Sequence, residues 1–294
     1  PRHCKDSLLK RSIQILLLAV ILLFAFGLRI AHYTGPIGSD DQDYYLAAHE
    51  IYKGEYQPTT SYWKNRFGVI LPIAASYAVF GTNEYAASVW PMLAALGAVI
   101  VTYLLGKLLV NAQVGLLGAL LLAFYPLDIH YSGLILPDIP LSFLMAASVL
   151  AFLAAVRKDH SPFLFLLSGV LMGMAYSCRS MAVILFPFFV LYVLFFDRRL
   201  KLSYLLFAVG FLMIPFAEGI YYALHGLSPL HNILLNRSAA VAVNSSGECS
   251  TSQLYYPQVI TTNRNVFGLY FFLFLPALIV ALVKRERGPL ILAL

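Results

Sequence analysis

The chain has 294 residues, of which 60% are hydrophobic and only 12% charged, with a mean hydropathy of +0.78 and a formal charge of +6. A soluble domain carries about 25% charged residues. One water-facing core cannot absorb this apolar excess, so lipid must solvate much of the chain, and the positive charge suits membrane-surface loops rather than a nucleic-acid partner.

The first apolar run, 12–31, is long enough to span, and no small-residue cleavage site follows it. Ser39-Asp40-Asp41-Gln42 then opens an amphipathic helix. Ser39 is placed to cap it, Gln42 follows three residues later, and the acids favour the positive helix end. Tyr44, Tyr45, Ala48, Ile51 and Tyr52 form its apolar stripe, and Gly54 ends it. Such a helix is expected to lie on the membrane surface. Lys64-Asn65-Arg66 precedes the run Phe67 to Phe80, whose 14 residues are too few to span and suit an interfacial or re-entrant helix. Further spans are expected at 84–106, 111–127, 134–156, 161–178, 180–196, 202–224 and 265–283, with another opening near 288. Backbone groups in lipid need internal partners, so all of these are helices. The expected fold is all-α, a polytopic transmembrane bundle of about eight or nine spans forming one domain over 1–294. Pro1-Arg2-His3 at the start and the apolar run at the end read as an N-terminal fragment truncated at its C-terminus.

If 67–80 does not span, one side collects most of the 20 lysines and arginines, in short loops such as Arg157-Lys158 and Arg198-Arg199. The positive-inside rule then makes that side, and the N-terminus, cytoplasmic. The opposite side holds Asp40, Asp41, Asp43, Asp128, Asp138 and Glu248, and two long segments, 32–83 and 225–264. Function is expected on this elaborated side.

Asp40 and Asp41 read either as a solvated cap or as a catalytic pair, in which one carboxylate accepts a proton and the other orients a hydroxyl. Lys64 and Arg66 read either as snorkelling cations or as a phosphate clamp. Asp138 stands in the first turn of a span, in Leu136-Pro137-Asp138-Ile139-Pro140, near membrane depth. Arg179 occupies a tight turn between two helices, at headgroup level, where it can snorkel or bind a lipid phosphate. Glu218, near a helix end, is open between a local helix feature and a part of the site. The histidines show no ligand spacing. Cys4, Cys178 and Cys249 read as isolated thiols.

The order of these residues resembles a known family. Asp40-Asp41 and Tyr44-Tyr45 follow the first span. After Arg66 come "FGVILPIAASYAVFG", "NEYAASVWPMLAALGAVIVTYLLGKLL", "LPDIPLSFL" and "GVLMGMAYSCRSMAVILFP". From about residue 12 to 225 the chain is similar to membrane glycosyltransferases of the GT-C type, in the protein O-mannosyltransferase and aminoarabinose transferase group. The resemblance implies an acidic pair in the first outer loop, matched by Asp40-Asp41 where Asp-Glu is frequent. It also implies a basic residue between the fifth and sixth spans, matched by Arg179 where Lys is more familiar, and an acid opening the fourth span, matched by Asp138. The implied reaction is inverting transfer of a sugar from a polyprenyl-phosphate donor to a protein, lipid or glycan acceptor on the extracytoplasmic side of a cell membrane. Asp40 or Asp41 would be the base, with Arg66, Arg179 and Lys64 on the donor phosphate. No cofactor is required for such a donor, although Asp41 and Asp138 leave room for a divalent metal. Two rivals remain at this stage: a transporter or flippase of lipid-linked sugars, which favours mid-span charges in paired halves, and a polymerase or ligase using the same donors.

Overall fold

The computed structural model describes residues 2–61, 63–197 and 201–245, and side chains over 11–61, 63–197 and 201–238. The expected helices at 265–283 and near 288, together with Glu248, Cys249, Arg198, Arg199 and most of 225–264, lie outside the described residues.

The described residues are helical and contain no strand. Chain order runs α1 (Arg2–Ala31), α2 (Asp40–Lys53), α3 (Phe67–Phe80), α4 (Glu84–Leu109), α5 (Ala112–Ala123) and α6 (Pro126–Tyr131). It continues with α7 (Asp138–Arg157), α8 (Pro162–Cys178), a 3₁₀ turn (Ser180–Leu185), α9 (Phe186–Tyr192), a π turn (Val193–Asp197), α10 (Tyr204–Leu224) and α11 (His231–Ser245). Among the described residues, five helical stretches are long and apolar enough to cross a membrane: 11–31, 84–109, 138–157, 180–197 and 204–224. Three shorter apolar helices, α3, α5 and α8, pack among them. The chain is a helical membrane protein.

Local chemistry sets the ends. Asn83 and Asn111 cap α4 and α5, accepting from Ala86 N and Val114 N at 2.9 Å each. Gly54 stops α2 in the left-handed region at φ 74°. The expected span 111–127 ends early at Ala123, because Tyr125 precedes Pro126 and Pro126 starts a new short helix. The expected helix 134–156 starts only at Asp138, just after Pro137. The expected helix 180–196 is irregular, with Pro187 entering at the first turn of α9 between the 3₁₀ and π turns.

Packing is close where side chains vanish. A Cβ on Gly173 of α8 would lie 2.7 Å from Phe211 O of α10, so those backbones meet directly. The short helix α3 is well packed: Phe67, Val69, Ile70, Ile73, Ala74, Ser76 and Tyr77 are buried, and the helix lies against α2, α4 and α8. α2 turns Tyr44, Ala47 and Ala48 inward, while Tyr52 of the expected stripe stays 48% exposed.

A set of long-range polar contacts ties the end of α1 to its neighbours. Arg29, fully buried at the end of α1, pairs with Asp128 of α6 and donates to Ala25 O at 2.9 Å. Beyond it, the Tyr33 hydroxyl lies 3.1 Å from Ser88 Oγ of α4, and Ser88 donates to Gly133 O at 3.1 Å. These contacts fix the path of the segment that carries the chain from α1 into α2.

Candidate active site

The segment between α1 and α2 wraps around one carboxylate. Asp41 is fully buried and accepts from Ile37 N at 2.5 Å, Ser39 N at 2.6 Å, Gln42 N at 3.1 Å and Gly38 N at 3.4 Å. The expected cap by Ser39 is therefore not made: its side chain forms no capping bond, and its own amide points at Asp41. A carboxylate offers two acceptor-only oxygens, so it gathers several N–H groups where one hydroxyl could serve one. Asp40, on the same turn, is only partly buried and has no hydrogen-bond partner among the described residues. The two neighbouring acids are thus physically distinct: one is built into the backbone and the other is available.

Arg66 lies below α2. It is 7% exposed, donates to the Tyr44 hydroxyl, and stacks over the Trp63 ring at 4.5 Å and the Tyr44 ring at 5.7 Å. Two aromatic faces and one hydroxyl hold its planar fork in a fixed orientation. Tyr44 stands four residues after Asp40, one turn along α2, and its hydroxyl receives Arg66. The ammonium of Lys64 pairs with Glu50 at 3.4 Å. The segment around it is pinned by Tyr56, whose hydroxyl lies 2.9 Å from both Lys64 O and Asn65 Oδ1. Burial, reinforced by Tyr221 and nearby carboxylates, pushes the Tyr56 hydroxyl above its ordinary value, so it stays a proton donor.

Arg179 and Asp138 come together from separate helices. Arg179 Nη1 donates to Asp138 Oδ1 at 2.8 Å, with both side chains partly exposed. Arg179 sits in extended backbone (φ −161°, ψ 129°) between α8 and the 3₁₀ turn, and Asp138 is the first residue of α7. Gly68 joins this pair to Arg66. A Cβ there would lie 2.7 Å from Cys178 N and Sγ and 2.8 Å from Met174 O. The start of α3 therefore presses on the end of α8, and residues 66 and 179 flank that contact. Gly68→Ala is expected to force the two backbones apart and cost about 1–3 kcal/mol, as overpacking does. Thermal unfolding of the purified variant in detergent measures that loss, and a melting temperature equal to wild type would show that the contact is soft.

Sequence reasoning left Glu218 open and overlooked Arg29. Glu218 of α10 is 8% exposed, accepts from Ser177 and from Asn232 Nδ2 at 3.3 Å, and lines a cavity of about 550 Å³. Its position inside an apolar helix was the available signal. Arg29 closes an apolar run in the same manner, and its partner lies 99 residues away in sequence. Among the described residues, no group of three or more His, Cys, Asp or Glu side chains is placed to share a metal ion. Cys178 is a buried free thiol.

A family model described as dolichyl-phosphate-mannose-protein mannosyltransferase matches residues 68–222, more than half of the chain. The match contains Asp138, Arg179 and Glu218, and it begins two residues after Arg66. No curated protein matches the chain. The helical bundle fits the family match, and the chain belongs to the dolichyl-phosphate-mannose-protein mannosyltransferase family of membrane glycosyltransferases.

Proposed function

We propose that this glycosyltransferase moves a sugar from a polyprenyl-phosphate donor to an acceptor hydroxyl or amine, on the extracytoplasmic side and with inversion at the anomeric carbon. The observation that carries the reading is the contrast within the acidic pair. Asp41 spends both oxygens on backbone amides, while Asp40 keeps its carboxylate unengaged one turn before Tyr44, whose hydroxyl receives Arg66.

In this reading Asp40 is the general base. The acceptor oxygen or nitrogen attacks the anomeric carbon, its proton passes to Asp40, and the bond from that carbon to the phosphate oxygen breaks. Arg179 holds the departing phosphate and neutralises its growing charge. Arg66, already fixed by two aromatic rings, presents positive charge from the other side of the Gly68 contact. Asp138 keeps Arg179 extended until the donor arrives. Lys64 serves Glu50 and the fold of its segment, and reaches the phosphate only if that pair opens. Two arginines can balance one phosphate, so the reading needs no cofactor. The extracytoplasmic assignment follows from the basic short loops on the opposite face. Protein, lipid and glycan acceptors all offer the required nucleophile.

The test is transfer of label from a panel of radiolabelled polyprenyl-phosphate sugars in membranes containing the full chain. Label should move to an acceptor with at least one donor, and Arg179→Ala should lower transfer at unchanged expression. No donor consumed across the panel would sink the reading and favour a transporter.

A further inference from the structure

The turn that carries Arg179 is bracketed by two serines, and both lead to Glu218. On one side, Ser177 donates directly to Glu218 Oε1. On the other, Ser180 donates to Asn236 Oδ1 at 3.4 Å, Asn236 Nδ2 donates to Asn232 Oδ1 at 2.8 Å, and Asn232 Nδ2 donates to Glu218 Oε2 at 3.3 Å. Asn236 Nδ2 is also held by Asn232 O at 2.8 Å. The side chains thus close a ring through α8, the 3₁₀ turn, α11 and α10, with Cys178 and Arg179 as its backbone arc.

The direction of every bond in this ring is set by Glu218. A carboxylate only accepts, so Ser177 and Asn232 must both donate to it. Asn232 then has its amide oxygen free to accept from Asn236, and Asn236 its own to accept from Ser180. Glu218 is 8% exposed, and both of its partners are neutral. An unmade bond to so buried a carboxylate is costly. Arg179 itself has no loop around it and lies in extended backbone between two helical elements. Its orientation depends on how the flanking residues 177 and 180 are held.

We propose that Glu218 is the positioning residue for Arg179, acting through this ring to aim the guanidinium at the donor phosphate. The inference rests on the reading of Arg179 as a phosphate ligand. Glu218→Gln is the sharpest probe. Glutamine keeps the shape but removes the charge: its oxygen can accept from Asn232 while the Ser177 hydroxyl turns to accept its NH₂, so one bond of the ring reverses and both become neutral ones. Asn232→Ala opens the long arm without touching the carboxylate. The double variant Glu218→Gln/Asn232→Asp moves the acceptor one step around the ring. The introduced glutamine can then accept from Ser177 and donate to the introduced aspartate, which still accepts from Asn236.

The experiment uses the full chain in membranes, with kcat and KM for the sugar donor and inhibition by polyprenyl phosphate lacking the sugar. Glu218→Gln and Asn232→Ala are each expected to lower kcat/KM and weaken that inhibition by about ten- to a hundredfold, the effect of one hydrogen bond to a charged group. The Glu218→Gln/Asn232→Asp variant should regain most of both. In an Arg179→Ala background, Glu218→Gln should add less than about twofold, since coupled residues are not additive. Full multiplication of the two effects, or no recovery in the swapped pair, would overturn the inference. If Arg179→Ala leaves inhibition by polyprenyl phosphate unchanged, the phosphate assignment itself fails, and the inference falls with it. An effect of Arg179→Ala with none from Glu218→Gln overturns the positioning role alone.

Discussion

Asp40→Asn is expected to lower kcat about a hundred- to ten-thousand-fold, the usual contribution of a positioned base. Donor KM and thermal stability should stay near wild type, because Asp40 has no hydrogen-bond partner among the described residues whose loss the fold would feel. Asp41→Asn should behave differently. An asparagine has one acceptor oxygen where the carboxylate has two, and its NH₂ would face the amides of Ile37, Ser39 and Gln42. It should lose about 1–3 kcal/mol of stability. Its activity loss should follow the loss of folded protein. Steady-state transfer assays and detergent melting curves on the two variants separate these outcomes. A stable, inactive Asp41→Asn beside an active Asp40→Asn would reverse the roles.

The sequence made the membrane class and the order of helices legible, because apolar runs near span length leave few alternatives. It also made Asp138 and Arg179 legible as candidates, since each charge interrupts apolar sequence at a helix end. What it hid was which charges meet. Arg29 and Asp128 are 99 residues apart, and Arg179 and Asp138 are 41 apart. No local period connects them. The difference between Asp40 and Asp41 was hidden for another reason. Adjacent residues on a helix start point about 100° apart, and only the path of residues 37–39 decides which one is wrapped by amides. Lys64 and Arg66 look alike in sequence, and only the fold shows that Lys64 pairs with Glu50 of α2 while Arg66 meets Tyr44. Helix ends next to Pro126 and Pro137 ran shorter than hydropathy suggested, since hydropathy does not see backbone restriction.

Breaking the Arg29–Asp128 pair from one side is expected to be the most destabilising change in the described part of the fold. Arg29 is fully buried, and the Asp128 side chain is 8% exposed. Burial raises the Asp128 carboxyl above its ordinary value even with Arg29 drawing it down, so desolvation is large at this position. Asp128→Leu strands a guanidinium whose other bonds are to Ala25 O and Ala123 O, at 2.9 and 3.4 Å. Arg29→Met strands a carboxylate. Each should cost about 3–5 kcal/mol, the usual consequence of an orphaned buried charge. Arg29→Met/Asp128→Leu should cost far less than the sum, because replacing both charges removes the desolvation penalty with the attraction. Melting curves in detergent for the two single variants and the double variant measure this. The prediction has a catalytic side as well. The pair clamps the end of α1 to α6, and the segment leaving that clamp carries the amides that grip Asp41 and set the start of α2. If the clamp matters only for stability, the double variant should transfer sugar at the wild-type rate once folded. If it also aims the segment, kcat should fall in the double variant while its melting temperature recovers. Single variants that melt with wild type would show that water reaches the pair and that the clamp is weak.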